Sequence, residues 1–93
     1  MKLSSELVER TLGQIEAEAI PENHPEFPKL RGLFGDHTFF LDSSGLNIVE
    51  PMEQMPRMGK LVNVASWDDA DLLQLLPHVP ESTDVLIELG SMH

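Results

Sequence analysis

The chain has 93 residues, an apolar fraction of 41%, no cysteine, and a formal net charge of −10 from sixteen acidic and six basic residues. This length holds one hydrophobic core, so we predict a single domain over residues 1–93, with residues 91–93 as a short tail. The composition excludes disulfides and thiol chemistry, and the acidity argues against binding to nucleic acid or anionic membranes, which need a basic surface.

The first predicted element is a helix over about residues 4–19, because apolar residues recur there at helical spacing. The apolar positions are Leu3, Leu7, Val8, Leu12, Ile15 and Ala19. Ser4 or Ser5 is a suitable N-cap for this helix. Ile20 ends the pattern, because a residue that precedes proline disfavours the helical conformation.

Residues 21–32 are predicted to form an extended connection instead of a second helix. Three prolines fall between Pro21 and Pro28, and a proline inside a helix removes a backbone hydrogen bond. We expect Phe27 and Leu30 to attach this connection to the core.

Residues 38–41 and 46–49 are predicted to form a β-hairpin. Between them, Asp42 and Gly45 occupy the first and fourth positions of a type I turn, where these residue types are favoured. The predicted register places three cross-strand pairs on one face of the hairpin. The pairs are Leu41 with Leu46, Phe39 with Ile48, and His37 with Glu50.

The second half of the chain is predicted to hold a loop, a strand, a helix and a last strand. The loop covers residues 51–60 and the third strand residues 61–65. Ser66 is a suitable N-cap for a helix that Pro77 closes. A linker follows, and the alternating apolar residues of 85–89 predict the fourth strand.

These elements predict an α+β fold with the order α-β-β-β-α-β. Two helices packed on one face of a four-stranded, mainly antiparallel sheet would bury the apolar side of every element. No apolar run is long enough to span a membrane, and acidic residues interrupt any signal-peptide pattern at the N-terminus. We therefore expect a cytoplasmic protein.

Known catalytic motifs are missing from the sequence. It contains no GxSxG, no P-loop and no GxGxxG pattern, and its histidines do not have the spacing of a metal motif. We therefore expect a non-catalytic protein without a cofactor, although a catalytic Asp, Glu or Ser would leave no motif to find.

The alternative hypothesis is a metal- or small-ligand-binding protein, or an enzyme, centred on His37, Asp36 and Glu50. The expected cross-strand partner of His37 is Glu50, and this pair has an equally good structural explanation. One histidine and one carboxylate are too few to hold a metal, so a metal site would need His24 to converge on them.

The preferred hypothesis is a small protein–protein interaction module. Met52, Met55 and Met58 recur every third residue, and methionine suits both core packing and adaptable binding surfaces, although its thioether also suits Cu(I). We expect these methionines, with Phe27 and Phe34 nearby, to form the apolar contact.

Charge indicates the chemistry of the partner. No lysine or arginine follows Lys60, and the predicted second helix begins with Asp68, Asp69 and Asp71. These acids are predicted to steer a basic protein partner. A homodimer is a further expectation, formed either by pairing of the edge strand 85–89 with its copy or through the first helix.

Overall fold

The computed structural model describes residues 3–52, 54–67 and 74–90. Within them the chain forms two helices and five strands. In chain order these are α1 (Ser5–Leu12), β1 (Glu18–Ile20), α2 (Phe27–Phe34), β2 (Phe39–Asp42), β3 (Gly45–Met52), β4 (Met55–Trp67) and β5 (Leu75–Glu88). Every adjacent pair of strands is antiparallel, in the order β1-β2-β3-β4-β5. The predicted α+β class is confirmed, with five strands in place of four.

The β2–β3 hairpin has the predicted register, with Leu41 opposite Leu46. Asp42 caps the turn, because its Oδ1 accepts hydrogen bonds from the backbone N–H groups of Ser44 at 2.8 Å and Gly45 at 3.2 Å. Gly45 has φ +127°, and a Cβ there would collide with the carbonyl oxygen of Ala65. The close approach of β4 therefore requires glycine at this position.

Apolar residues lie on both faces of the sheet, and each face carries one helix. On one face α2 covers a cluster formed by Phe27, Phe39, Leu46, Ile48, Val62, Val64 and Ala65. On the other face α1 covers a cluster formed by Leu3, Phe40, Val49, Leu61, Ile87 and Leu89. We call these the α2 face and the α1 face.

The prediction that both helices lie on one face is therefore wrong. Phe39 and Phe40 are both fully buried although they point to opposite faces. Ile48 and Val49 are also both buried, and they belong to different clusters. A sheet that is apolar on both sides needs cover on both sides.

Helix α1 begins where the sequence predicts and ends earlier. The Ser4 side chain accepts a hydrogen bond from the Leu7 N–H at 3.3 Å, which confirms Ser4 as the N-cap. The helix ends at Leu12, and Gly13 follows as the C-cap. The chain then pairs with β2 through β1, so sheet formation replaces the last part of the predicted helix.

Helix α2 replaces the second half of the predicted extended connection. Pro28 lies in the first turn, where the backbone N–H has no intrahelical acceptor and proline is tolerated. Phe27 is only 5% exposed and attaches the start of the helix to the core. The prolines therefore precede and start a helix that the sequence analysis excluded.

The structure also corrects the predictions for residues 51–67 and 74–88. Most of the predicted loop 51–60 belongs to β3 and β4, and the predicted linker after Pro77 belongs to β5. The predicted second helix is wrong at its two described ends, because Trp67 of β4 pairs with Leu75 of β5. The Trp67 indole Nε1 donates to the Asp42 carbonyl at 2.8 Å, and this tertiary contact holds Trp67 at the sheet. The middle of that predicted helix lies outside the described residues, as does the predicted tail 91–93.

Neither described helix has the length and apolarity needed to cross a membrane.

Candidate functional site

A groove of about 650 Å³ lies on the α2 face, open to solvent. Its floor includes Ile48, Val62 and Val64 of the sheet, and α2 contributes Leu33 and Phe34 to its wall. The remaining lining residues are four polar ones and two prolines, namely His37, Glu50, His78, Ser82, Pro77 and Pro80. We call this cavity the α2 groove. An apolar concavity with a few polar groups at its edge is the usual form of a binding site.

The end of α2 brings His37 to this groove. Gly35 has φ +94°, and its N–H donates to the Arg31 carbonyl at 2.9 Å to close the helix. A Cβ at Gly35 would lie 3.5 Å from His37 Nε2, so the imidazole packs directly against the glycine. The turn after α2 therefore fixes the ring at one end of the groove.

His37 and Glu50 meet as the predicted hairpin register requires. His37 Nδ1 lies 3.8 Å from Glu50 Oε1, and the two side chains are 19% and 45% exposed. The imidazole also makes an edge contact with Phe39, with ring centroids 6.2 Å apart. Burial lowers the pKa of His37 below its ordinary value, although Glu50 and Asp36 favour the charged form. The groove thus holds an imidazole whose neutral form is favoured beside a carboxylate.

The other residues of the alternative hypothesis do not converge on this pair. Asp36 is exposed and lies outside the lining of the groove. His24 lines a second cavity of about 620 Å³ beside Lys29 and Trp67, and its Nδ1 accepts a hydrogen bond from the Glu26 N–H at 3.1 Å. Among residues 3–52, 54–67 and 74–90, no three His, Asp or Glu side chains are arranged to hold a metal ion.

No protein-family model, no curated protein and no solved structure matches the chain.

The two phenylalanines that were predicted to contact a partner lie in different places, Phe27 in the core and Phe34 at the groove. Phe27 packs edge-on against Phe39 with ring centroids 5.7 Å apart, and its 5% exposure leaves no surface for a partner. Its predicted role in partner binding is therefore corrected to a role in the core. Phe34 is half-buried and lines the groove, so it remains available for contact.

The methionines lie at the far end of the β3–β4 hairpin. Met52 pairs with Met55, which is 42% exposed. A side chain at Gly59 would point toward Val49 on the α1 face, so Met58 next to it lies on the α2 face. Asp68, Asp69 and Asp71, the predicted steering acids, lie outside the described residues.

His78 is a groove residue that the sequence analysis misplaced. We expected it to follow a helix, but it lies in β5, where its Nε2 is 2.6 Å from Asn63 Oδ1 and 3.0 Å from Ser66 Oγ. The Asn63 amide is oriented by its Nδ2, which donates to the Ala65 carbonyl at 3.2 Å. Because Asn63 Oδ1 is an acceptor, His78 Nε2 is the donor in their hydrogen bond.

The sequence feature that indicates this hydrogen-bond network is a pair of asparagines inside apolar strands. Asn47 and Asn63 interrupt strand-like runs in β3 and β4, and Asn63 Nδ2 donates to Asn47 Oδ1 at 2.9 Å. Asn47 is fully buried, and its Nδ2 has no hydrogen-bond partner among the described residues. A buried polar residue inside a strand predicts a polar partner, although not which one.

Proposed function

We propose that the chain is a small, acidic, non-catalytic protein-binding module of the cytoplasm, and that the α2 groove is its contact surface. The observation that carries this proposal is the open apolar groove itself, which α2 leaves uncovered beside His37 and Glu50. An apolar concavity with a few polar groups at its edge is the default location for a binding site.

Exposed apolar residues extend the proposed contact surface beyond the groove. Leu33 is 56% exposed at the groove wall, and Leu86 is 43% exposed on β5. Leu86 pairs with Lys60, which lies on the α2 face for the same reason as Met58. Apolar side chains of a partner would enter the groove, and their neighbours would contact the exposed leucines and Met58.

The charge of the chain favours a basic partner. The formal net charge is −10, and Glu50 presents a partly exposed carboxylate at the groove. A partner segment with lysine or arginine next to an apolar residue would place its cation near Glu50. Charge complementarity of this kind raises the association rate and disfavours acidic competitors.

The test is selection of binding peptides from a random phage-displayed library, with affinities measured by titration. We expect the selected peptides to combine an apolar anchor with Lys or Arg. Leu33→Arg should weaken their binding at least about tenfold, because it places a charge at the wall of the groove and repels a cation.

Leu76→Arg is the matched control. Leu76 is 46% exposed, and it lies on the α1 face because its strand neighbour Leu75 packs against the α2-face cluster. Peptides that bind Leu33→Arg and the wild type equally would show that the α2 groove is not the contact surface. Equal weakening by both variants would indicate attraction by net charge alone.

A small-molecule site at the same place is the second candidate, favoured by the contact between His37 and Glu50. A neutral imidazole and a carboxylate inside an apolar groove could orient a polar ligand. Titration of a fragment library, followed by NMR of the His37 ring, tests this candidate. It gains support if fragments shift the His37 signals in a chain that selects no peptide, and it fails if those signals do not move.

A further inference from the structure

The outer edge of β5 is open in the described sheet, because β5 is its last strand. An uncovered edge presents backbone N–H and C=O groups that can pair with another strand. Most of this edge is irregular. Residues 78–80 bulge opposite Val64, residues 83–85 bulge opposite Leu61, and both Pro77 and Pro80 lack an N–H.

The last part of β5 is regular, and one side chain covers it. Gln14, which follows α1, donates from Nε2 to the Glu88 carbonyl at 2.8 Å and accepts at Oε1 from the Glu88 N–H at 2.8 Å. Its carboxamide therefore makes the two hydrogen bonds that the N–H and C=O of one residue in a neighbouring antiparallel strand would make. Gln14 stands in for an added strand at this position.

Leu86 is the next residue whose backbone faces outward. The Leu89 N–H donates inward to the Arg57 carbonyl at 2.8 Å. Because backbone groups of an antiparallel strand alternate in direction, Ile87 also faces β4, whereas Leu86 and Glu88 face away from it. The two outward residues form a short, regular pairing edge, of which Gln14 occupies half.

Charge distinguishes between the strands that could pair there. The charged residues of β5 are Glu81, Asp84 and Glu88, all acidic. A second copy of β5 would bring three more acids and no cation, and like charges on paired strands are destabilising. An extended segment that carries lysine or arginine would be favoured instead.

We propose that the edge of β5 at Leu86 and Glu88 is a strand-pairing site for an extended basic segment of another protein, and that the Gln14 carboxamide closes this site in the free chain. The pairing groups are the outward backbone N–H and C=O groups of Leu86 and Glu88, whereas the function proposed above uses the α2 groove and the side chain of Leu86, so the two proposals are tested by different variants.

The test compares the wild type with Gln14→Met, which keeps the length of the side chain and removes both hydrogen bonds. The probe is an eight-residue peptide of alternating valine and lysine. We expect it to bind Gln14→Met about tenfold more tightly than the wild type, because two modest hydrogen bonds no longer compete. The amide NMR signals of Leu86 and Glu88 should shift and become protected from hydrogen exchange.

Two controls separate strand pairing from general attraction to an acidic protein. The same peptide with every backbone nitrogen methylated keeps its charge and has no backbone N–H to donate on either edge, so it should bind both chains weakly and equally. Gln74→Met makes the same substitution at an exposed glutamine just before β5, and it should behave as the wild type.

Each other outcome overturns the proposal. Equal binding of the plain and N-methylated peptides would mean attraction by charge alone. Equal affinity of Gln14→Met and the wild type would mean that Gln14 closes no site. Dimerisation of Gln14→Met without peptide, seen by sedimentation, would identify a second copy as the occupant. The comparison is repeated in the Leu33→Arg background, which weakens binding at the α2 groove; the difference between Gln14→Met and the parent chain should persist there, so failure here is distinguishable from failure of the α2 groove.

Discussion

The two faces of the sheet carry helices of equal length and bury their core clusters equally well, yet they differ in the groove that lies beside the helix. Both α1 and α2 have eight residues. Phe40 and Val49 on the α1 face are fully buried, and so are Phe39 and Leu46 on the α2 face. On the α2 face the helix leaves a groove of about 650 Å³ over Val62 and Val64. The difference does not come from helix length.

The difference comes from what surrounds each helix. On the α1 face, Leu3 before the helix and Leu89 after β5 add to the cluster, and Ile15 and Ala17 after the helix pack against it. On the α2 face, the helix ends at Gly35 and the chain turns directly into β2. The cover of the α2 face therefore stops at the groove, which leaves surface for a partner beside a buried core.

The largest expected difference between the faces is the cost of removing a phenylalanine from each. Phe40→Ala should lower the free energy of unfolding by about 3–5 kcal/mol, because Phe40 is fully buried in the α1-face cluster. Phe34→Ala should cost roughly half as much, because Phe34 is half-buried at the groove and leaves no closed cavity. Urea denaturation measures both values, and equal losses would show that the two faces are equally closed.

Replacing a glycine by alanine should also change the stability differently on the two faces, by a smaller amount than removing a phenylalanine. A Cβ at Gly59 would lie 2.5 Å from Val49 Cγ1 on the α1 face, so Gly59→Ala should cost about 1–3 kcal/mol through overpacking. Gly32 lies within α2, and a Cβ there would meet nothing within 4 Å. Gly32→Ala should therefore stabilise the chain by about 0.5–1 kcal/mol, the usual gain in a helix interior. Thermal unfolding measures both effects. A shift of both melting temperatures in the same direction would contradict the prediction.

Sequence reasoning succeeded where local pattern and tertiary structure agree. The β2–β3 hairpin has its turn signal at Asp42 and Gly45 and its apolar alternation in adjacent segments, so its register followed from the sequence. That register also brought His37 to Glu50. Half of the candidate site was therefore predictable from one hairpin.

The other half depends on contacts between distant segments. Residues 75–82 contain two prolines and a histidine and resemble a linker, yet they form an edge strand, because bulges and an outer position tolerate proline. Their place beside the groove depends on the hydrogen bonds of His78 to Asn63 and Ser66, which join different strands. No local periodicity predicts such a pairing.

The smallest expected effect is the loss of stability at low pH that protonation of His37, on the α2 face, causes. Burial lowers the pKa of His37 in the folded chain below the unfolded value of about 6.5. The unfolded state therefore binds more protons, and the contribution of neutral His37 to stability is complete above about pH 6.5 and is lost as the pH falls toward the folded pKa. His37→Gln should flatten the pH dependence of unfolding in that range and leave the behaviour near pH 8 almost unchanged. Urea denaturation of both chains from pH 8 to pH 5 measures the difference. Parallel curves would mean that Glu50 compensates for the burial of the ring. Protonation of His37 would then not change the stability of the folded chain.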